Sequence, residues 1–277
     1  MGYIKSLNSL RFFGALTVIF LHLGSYNVFK SYGLENYHVL ISGYTGIHLF
    51  YVLSGFLITS LAINEFKKSQ SFSLKKFFVR RALRLFPLYY LAILVVFVVQ
   101  LFKLTNVKFE SYLYALFYSY NFVPRKFYHG LLGSFHTLAT EEHFYLIFAI
   151  LFVSMSRFGK KHVFYAVPLV FLTGILFLHN FRDWFVDFEK THYVSRWTLF
   201  AIQPILVGCL GGFVFSSPLL STLKNKFNDN FIKSSLILVF VFAYLIQVVY
   251  RNEIVMSISF LSLILFLTLY ENTWLNK

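Results

Sequence analysis

The chain has 277 residues, of which 58% are hydrophobic and 13% charged, and a formal net charge of +14. A water-soluble domain carries about 25% charged residues, so composition excludes an ordinary soluble globule and makes a lipid bilayer the expected solvent. Lys and Arg lie in short clusters between apolar stretches, as they do beside membrane spans, and no nucleic-acid partner is expected.

The length suits a single domain covering 1–277. Cys209 stands alone within an apolar run, so no disulfide framework is expected. Residues 12–29 are apolar and follow Lys5 and Arg11, as in a signal peptide. However, the bulky Tyr26, Val28 and Phe29 stand where a small-residue cleavage site is needed, and the segment reads as a retained first helix.

A span needs about 20 mostly apolar residues. Eight such stretches occur, at 10–29, 41–63, 85–104, 138–156, 162–179, 196–215, 232–250 and 254–271. The Tyr-rich piece 111–123 is shorter, ends at Pro124-Arg125-Lys126, and reads as re-entrant or interfacial. With the N-terminus inside, fifteen Lys and Arg fall on inner segments, including Lys160, Lys161 and Lys277, and nine on outer ones. The fold class is therefore all-α, a polytopic transmembrane bundle of eight spans plus one re-entrant segment. The chain is expected to be multi-pass in the cytoplasmic membrane, with both termini cytoplasmic.

Arg11 and His22 stand eleven positions apart in the first span. At 100° per residue they share one face, separated by a rise of roughly 16 Å. Ionisable groups within a span are functional candidates by default, and imidazole is suited to moving a proton near neutral pH. Equally, Arg11 can snorkel to the interface and His22 can be satisfied by a neighbouring helix.

The second span opens Gly43-Tyr-Thr-Gly-Ile-His48 and continues through Ser54 and Gly55. Its small residues permit close helix approach, while His48 is placed to face His22 across a helix interface. A basic loop follows, ending at Arg80, Arg81, Arg84 and Pro87. Arg81 and Arg84 share a helical face at i, i+3, and paired guanidiniums suit phosphate groups. Topology anchoring accounts for the neighbouring lysines. Before the fourth span, Glu141 and Glu142 precede His143. One of the two carboxylates has an electrostatic reason to sit at a helix start, and adjacent residues point about 100° apart, so only one faces the bundle. No metal-ligand spacing such as H-E-x-x-H is present, and no metal site is expected.

Four stretches taken together resemble the membrane acyltransferase 3 family, the O-acyltransferases of surface polysaccharides and other glycans. They are Leu7-Asn-Ser-Leu-Arg11 with His22; Gly46-Ile-His-Leu-Phe-Tyr-Val-Leu-Ser-Gly-Phe-Leu-Ile-Thr59; Arg80-Arg-Ala-Leu-Arg84-Leu-Phe-Pro-Leu-Tyr-Tyr90; and Glu141-Glu-His-Phe-Tyr145. The resemblance covers residues 5–150. It implies a helix bundle, a cytoplasmic acyl-CoA donor (acetyl-CoA by expectation), a sugar hydroxyl on a glycan or lipid-linked acceptor, and no bound cofactor. It also implies functional roles for Arg11, His22, Arg81 and Arg84.

The chain departs from the family in four ways. His48 stands where Asp is common, and His136 where Trp usually precedes the acidic pair. The pattern T-x-x-R-x-D reads Thr198-Leu-Phe-Ala201-Ile-Gln203, without its charges. Eight spans are two fewer than the family's usual ten, as expected of a short variant, a fragment or a frameshifted product.

Acyl transfer needs a base, a counter-charge for the developing oxyanion and a grip on a polyanionic donor. These roles fall to His22, Arg11, and Arg81 with Arg84. Glu141 orients His22 or binds the sugar, and His48 and Glu142 are further substrate contacts. Two other classes of function fit the same buried charges: a transporter or flippase, and an inactive truncated relative.

Overall fold

The computed structural model describes residues 5–34, 37–38, 42–159 and 162–275. Lys160, Lys161, Lys277 and the first residue of the stretch 41–63 lie outside the described residues. The described residues are helical throughout apart from turns and one isolated bridge, Pro124 to His192. The helices are α1 (Lys5–His22), α2 (Ser25–Ser31), α3 (Gly43–Ser69), α4 (Leu74–Leu101), α5 (Phe109–Leu116), α6 (Phe135–Arg157), α7 (Val167–Phe181), α8 (Thr198–Ala201), α9 (Gln203–Ser216), α10 (Pro218–Lys226), α11 (Asp229–Tyr250) and α12 (Glu253–Leu275).

Among the described residues, five stretches are long and apolar enough to cross a membrane: Gly43–Ser69, Leu74–Leu101, Gly130–Arg157, Asp229–Gln247 and Glu253–Tyr270. Val163–Leu178 and Gln203–Ser216 are apolar but shorter. The apolar surface is consistent with lipid as solvent. Helix α4 buries Phe77, Tyr89 and Ile93 and leaves Leu83, Leu88, Leu91, Leu94 and Val95 more than half exposed. The protein is an all-helical membrane protein.

Two boundaries differ from the sequence expectation. The first helix does not run to residue 29; it stops at His22, and Gly24 takes a left-handed φ of 80° before α2 begins, a conformation glycine adopts at little cost. The basic loop before Pro87 is helix: α4 starts at Leu74, where the Ser73 hydroxyl accepts from the Lys76 amide, an N-cap. Lys75, Lys76, Arg80, Arg81 and Arg84 therefore belong to a helix that runs through Pro87. Apolarity alone placed the boundary too late, because a span can begin with a charged turn outside the hydrocarbon.

Residues cluster into two compact units. One comprises Met1–Lys68, Phe164–Ile175 and Gln203–Lys277; the other comprises Ser69–Val163 and Leu176–Ile202. In the first, α12 packs on α11, α9 and α1, around a core of Leu7, Leu49, Phe56, Met256, Phe260 and neighbours. Helices α3 and α9 meet through glycine. A side chain at Gly55 would run into the carbonyl of Ile205, one at Gly208 into the carbonyl of Val52, and one at Gly212 into Phe56 and Thr59. Likewise, Gly46 lies against Thr17 and Gly14, and Gly43 against Leu21, so α1 and α3 run close together. Small residues let backbones approach where lipid supplies no hydrophobic drive between helices.

In the second unit, α4 and α6 hold the intervening segment. α5 has eight residues, about 12 Å of helix, too short for a crossing, and is followed by single 3₁₀ turns at Tyr120–Phe122, Arg125–Phe127 and Gly130–Leu132. Buried Tyr89, Tyr112, Tyr120, Leu132 and Phe135 form its core. Its backbone is satisfied partly by side chains: Tyr89 donates to the Ala115 carbonyl at 2.7 Å, and Tyr120 donates to the His129 carbonyl at 2.9 Å. This tyrosine dependence explains the composition of 111–123.

The glycine contacts generate a prediction. Gly55→Val forces α3 away from α9, and overpacking of this kind costs about 1–3 kcal/mol. The thermal midpoint of the detergent-solubilised chain is expected to fall, whereas Gly130→Ala, which meets nothing within 4 Å, leaves it unchanged.

Candidate functional site

Arg11 and His22 share the uninterrupted helix α1, so their eleven-residue spacing is a helical one. Arg11 is half-buried, and one of its guanidinium nitrogens donates to Asn8 Oδ1 at 3.2 Å. His22 is the last residue of α1, and its ring is exposed. The expected helical rise from Arg11 to His22 is kept, while the helix ends at His22 instead of running on to residue 29.

His48 is 5% exposed. Its Nδ1 lies 2.9 Å from the Tyr44 carbonyl, and an imidazole nitrogen beside a carbonyl must be the protonated donor. The lone pair is therefore on Nε2, which lies 4.0 Å from Glu253 Oε2 at the start of α12 and makes no hydrogen bond. The expected partner across the interface was His22; the nearest charged partner is Glu253. No local signal identified Glu253, because only the packing of α12 against the rest of its unit brings it to His48.

In the other unit, the guanidinium carbon of Arg81 lies over the Tyr145 ring, 3.3 Å from its centroid, and 5.1 Å from that of Phe77. Such stacking orients the planar guanidinium while leaving its edge for other groups. Arg84, one turn on, is exposed. Glu141 Oε2 accepts a hydrogen bond from the Tyr145 hydroxyl at 2.9 Å, so Tyr145 couples Arg81 to Glu141. Both carboxylates are half-buried, rather than one inward and one outward. Helix α6 begins at Phe135, which places the pair nearly two turns in. The favourable field of a helix N-terminus fades within the first turn, so it does not account for the two charges.

Three short segments meet around Thr198. Asn121 Nδ2 donates to Thr198 Oγ1 at 2.7 Å, and His143 Nδ1 lies 2.7 Å from the same oxygen. A hydroxyl has one proton and two lone pairs, so the Thr198 oxygen serves both partners at once. Phe122 stacks on His143 with centroids 5.8 Å apart and stands 6.1 Å from Trp197. Tyr118 has φ 53°, at a helix end where glycine is usual. Its ring stacks on Tyr89 at 4.0 Å, and its phenol is pushed above the ordinary range, by burial first and then by the Glu142 charge. Beside this, Arg196 lies between Tyr128 and Tyr193, 4.6 and 4.1 Å from their centroids. Sequence reading singled out none of Tyr118, Asn121, His143, Arg196 or Trp197 as a site residue. The one available signal was Thr198, which opens the altered T-x-x-R-x-D pattern.

The Thr198 hydroxyl serves two buried partners at once. Thr198→Val keeps the shape and leaves Asn121 and His143 each short of a partner, at about 1–3 kcal/mol per group. The chain's resistance to thermal or denaturant unfolding is expected to drop by that order, and Thr198→Ser to restore most of it.

No solved structure matches the chain. Peptidoglycan O-acetyltransferase OatA of Listeria monocytogenes serovar 1/2a is 29% identical over 171 residues, which are 57% of this chain and 26% of that protein. O-acetyltransferase OatA of Staphylococcus aureus strain NCTC 8325 is 28% identical over 229 residues, 77% of this chain and 35% of that one. The chain thus spans about a third of the length of the curated relatives it matches. The family described as "Acyltransferase domain" matches residues 4–277. With a match across nearly its whole described length, carrying the Arg11, His48, Arg81 and Glu141 motifs with it, the chain belongs to this membrane acyltransferase family.

Proposed function

We propose that the chain transfers an acetyl group from cytoplasmic acetyl-CoA to a sugar hydroxyl of a surface glycan, peptidoglycan being the first candidate. The observation that carries this reading is the family match over residues 4–277, and the O-acetyltransferase relatives supply the reaction class. The reading includes eight crossings, by α1, α3, α4, α6, α7, α9, α11 and α12, with α5 partly inserted and both termini at the cytoplasmic face. Those assignments follow from the distribution of Lys and Arg.

In the reaction, the acceptor oxygen attacks the thioester carbonyl, the carbon–oxygen bond forms and the carbon–sulfur bond breaks. The hydroxyl proton passes to the imidazole of His22 and then to the departing thiolate, so the thiol leaves neutral. Arg11, eleven residues back on the same helix, supplies positive charge for the oxyanion or the donor. Arg81 and Arg84 grip the donor phosphates. Arg81 is pre-oriented by Tyr145, and Arg84 is exposed and one turn away. Glu141, tied to Tyr145, sets the position of that stack or binds the sugar, and Glu142 and His48 contact substrate. His48 keeps a free Nε2 lone pair, which suits it to accept a substrate hydroxyl or amide proton. No metal or bound cofactor enters the scheme.

Removal of a general base lowers turnover by about 10²–10⁴-fold. His22→Ala in chains that insert and accumulate normally is expected to lose glycan acetylation by that order. Arg84→Ala is expected to raise the KM for acetyl-CoA with a smaller change in kcat. Incorporation of radiolabelled acetyl groups into glycan by membranes carrying each variant measures both; full incorporation by His22→Ala refutes the assignment of the base.

A further inference from the structure

Polar atoms buried without a hydrogen-bond partner are uncommon, because each forfeits its interaction with water. Eleven such side-chain atoms occur among the described residues, and six come from the three segments that meet at Thr198. They are Tyr118 Oη, Asn121 Oδ1, Thr140 Oγ1, Glu142 Oε1, Arg196 Nη1 and Trp197 Nε1. Asn121 and Thr140 are 2% and 0% exposed, so bulk water does not satisfy them. The orphaned atoms of the other four are likewise shielded from solvent, although their side chains are only half-buried as a whole.

The chemistry of the set is mixed. Arg196 and Trp197 can only donate, Asn121 Oδ1 and the Glu142 carboxylate accept, and the two hydroxyls do both. A phosphate would find a carboxylate and an amide oxygen facing it, which it cannot use. A ring bearing several hydroxyls both donates and accepts and matches every member. Aromatic surface is present as well: the indole of Trp197 lies 6.1 Å from Phe122, 5.9 Å from Phe185 and 5.9 Å from His192. The apolar face of a pyranose stacks on such surface.

The orientations are also fixed in advance. The amide of Asn121 is held by its donation to Thr198, leaving Oδ1 free, and the Arg196 guanidinium is clamped between two tyrosines. Groups locked before binding lose little entropy on it.

We infer that Tyr118, Asn121, Glu142, Arg196 and Trp197 form the binding site for a sugar ring of the acceptor. The inference rests on the proposed glycan acceptor and assigns residues to it; of these, only Glu142 belongs to the motifs shared with the family.

The test uses the whole chain in nanodiscs with Trp184→Phe and Trp274→Phe, so that Trp197 is the sole indole. The probes are chitotetraose, the N-acetylglucosamine–N-acetylmuramic acid disaccharide of peptidoglycan, and acetyl-CoA. A saturable change in Trp197 emission is expected with at least one sugar and none with acetyl-CoA. Asn121→Ala is expected to weaken the sugar response about tenfold, the size of one lost hydrogen bond, and to raise the KM for that sugar with the KM for acetyl-CoA unchanged. Should Asn121→Ala fail to fold, Glu142→Gln and Trp197→Phe make the same acceptor-specific KM comparison in the original chain.

Acetylation of a sugar that leaves the emission unmoved overturns the site and leaves the enzymatic reading standing. Saturable sugar binding without acetylation retains the site and overturns the enzymatic reading. A response to acetyl-CoA alone overturns the site by assigning it to the donor, and no response to a sugar together with no acetylation overturns both.

Discussion

Lipid offers no hydrogen bonds, and that single constraint organises the chain. Every backbone amide in the apolar spans has to find its partner within the segment, which is why the described residues form helix after helix. The same constraint governs how helices touch. Apolar side chains gain little by leaving lipid for protein, so association depends on backbone proximity. The chain provides it where Gly55 of α3 meets Gly208 and Gly212 of α9, and where Gly46 meets Gly14 and Thr17 of α1.

Polar side chains obey the constraint in a second way: several of the buried ones are engaged by near neighbours. Arg81 rests on Tyr145, Glu141 takes the hydroxyl of that tyrosine, and His48 is anchored to the Tyr44 carbonyl. Around Thr198 the accounting is different. The hydrogen bonds of Thr198 to Asn121 and His143 are short, while Tyr118, Asn121, Thr140, Glu142, Arg196 and Trp197 each keep a buried polar atom without a partner.

The two compact units divide the chemistry. One carries His22 and His48, whose imidazoles suit proton movement, and Arg11, a fixed positive charge. The other carries Arg81, Arg84, the acidic pair and the Thr198 cluster, whose types suit holding anions and hydroxylated rings.

Composition and apolar patterning determined that the chain is helical and membrane-embedded, and the resemblance of its motifs to a known family pointed to the acyltransferase type. Apolar runs of span length and clustered cations are properties of a linear string, and the motifs around Arg11, His48, Arg81 and Glu141 are short and contiguous. What the string could not carry is where a helix ends relative to its apolar run. Gly24 cuts α1 at His22, and Ser73 starts α4 thirteen residues before Pro87; both depend on backbone turns rather than on hydropathy. Nor could it carry partners distant along the chain. Glu253 reaches His48 across more than 200 positions, and Thr198 joins Asn121 and His143 from segments that share no local pattern. Those encounters were decided by tertiary packing, because a hydrogen bond is set by ångström-scale distance and direction, and neither is encoded in the spacing of residues on separate helices.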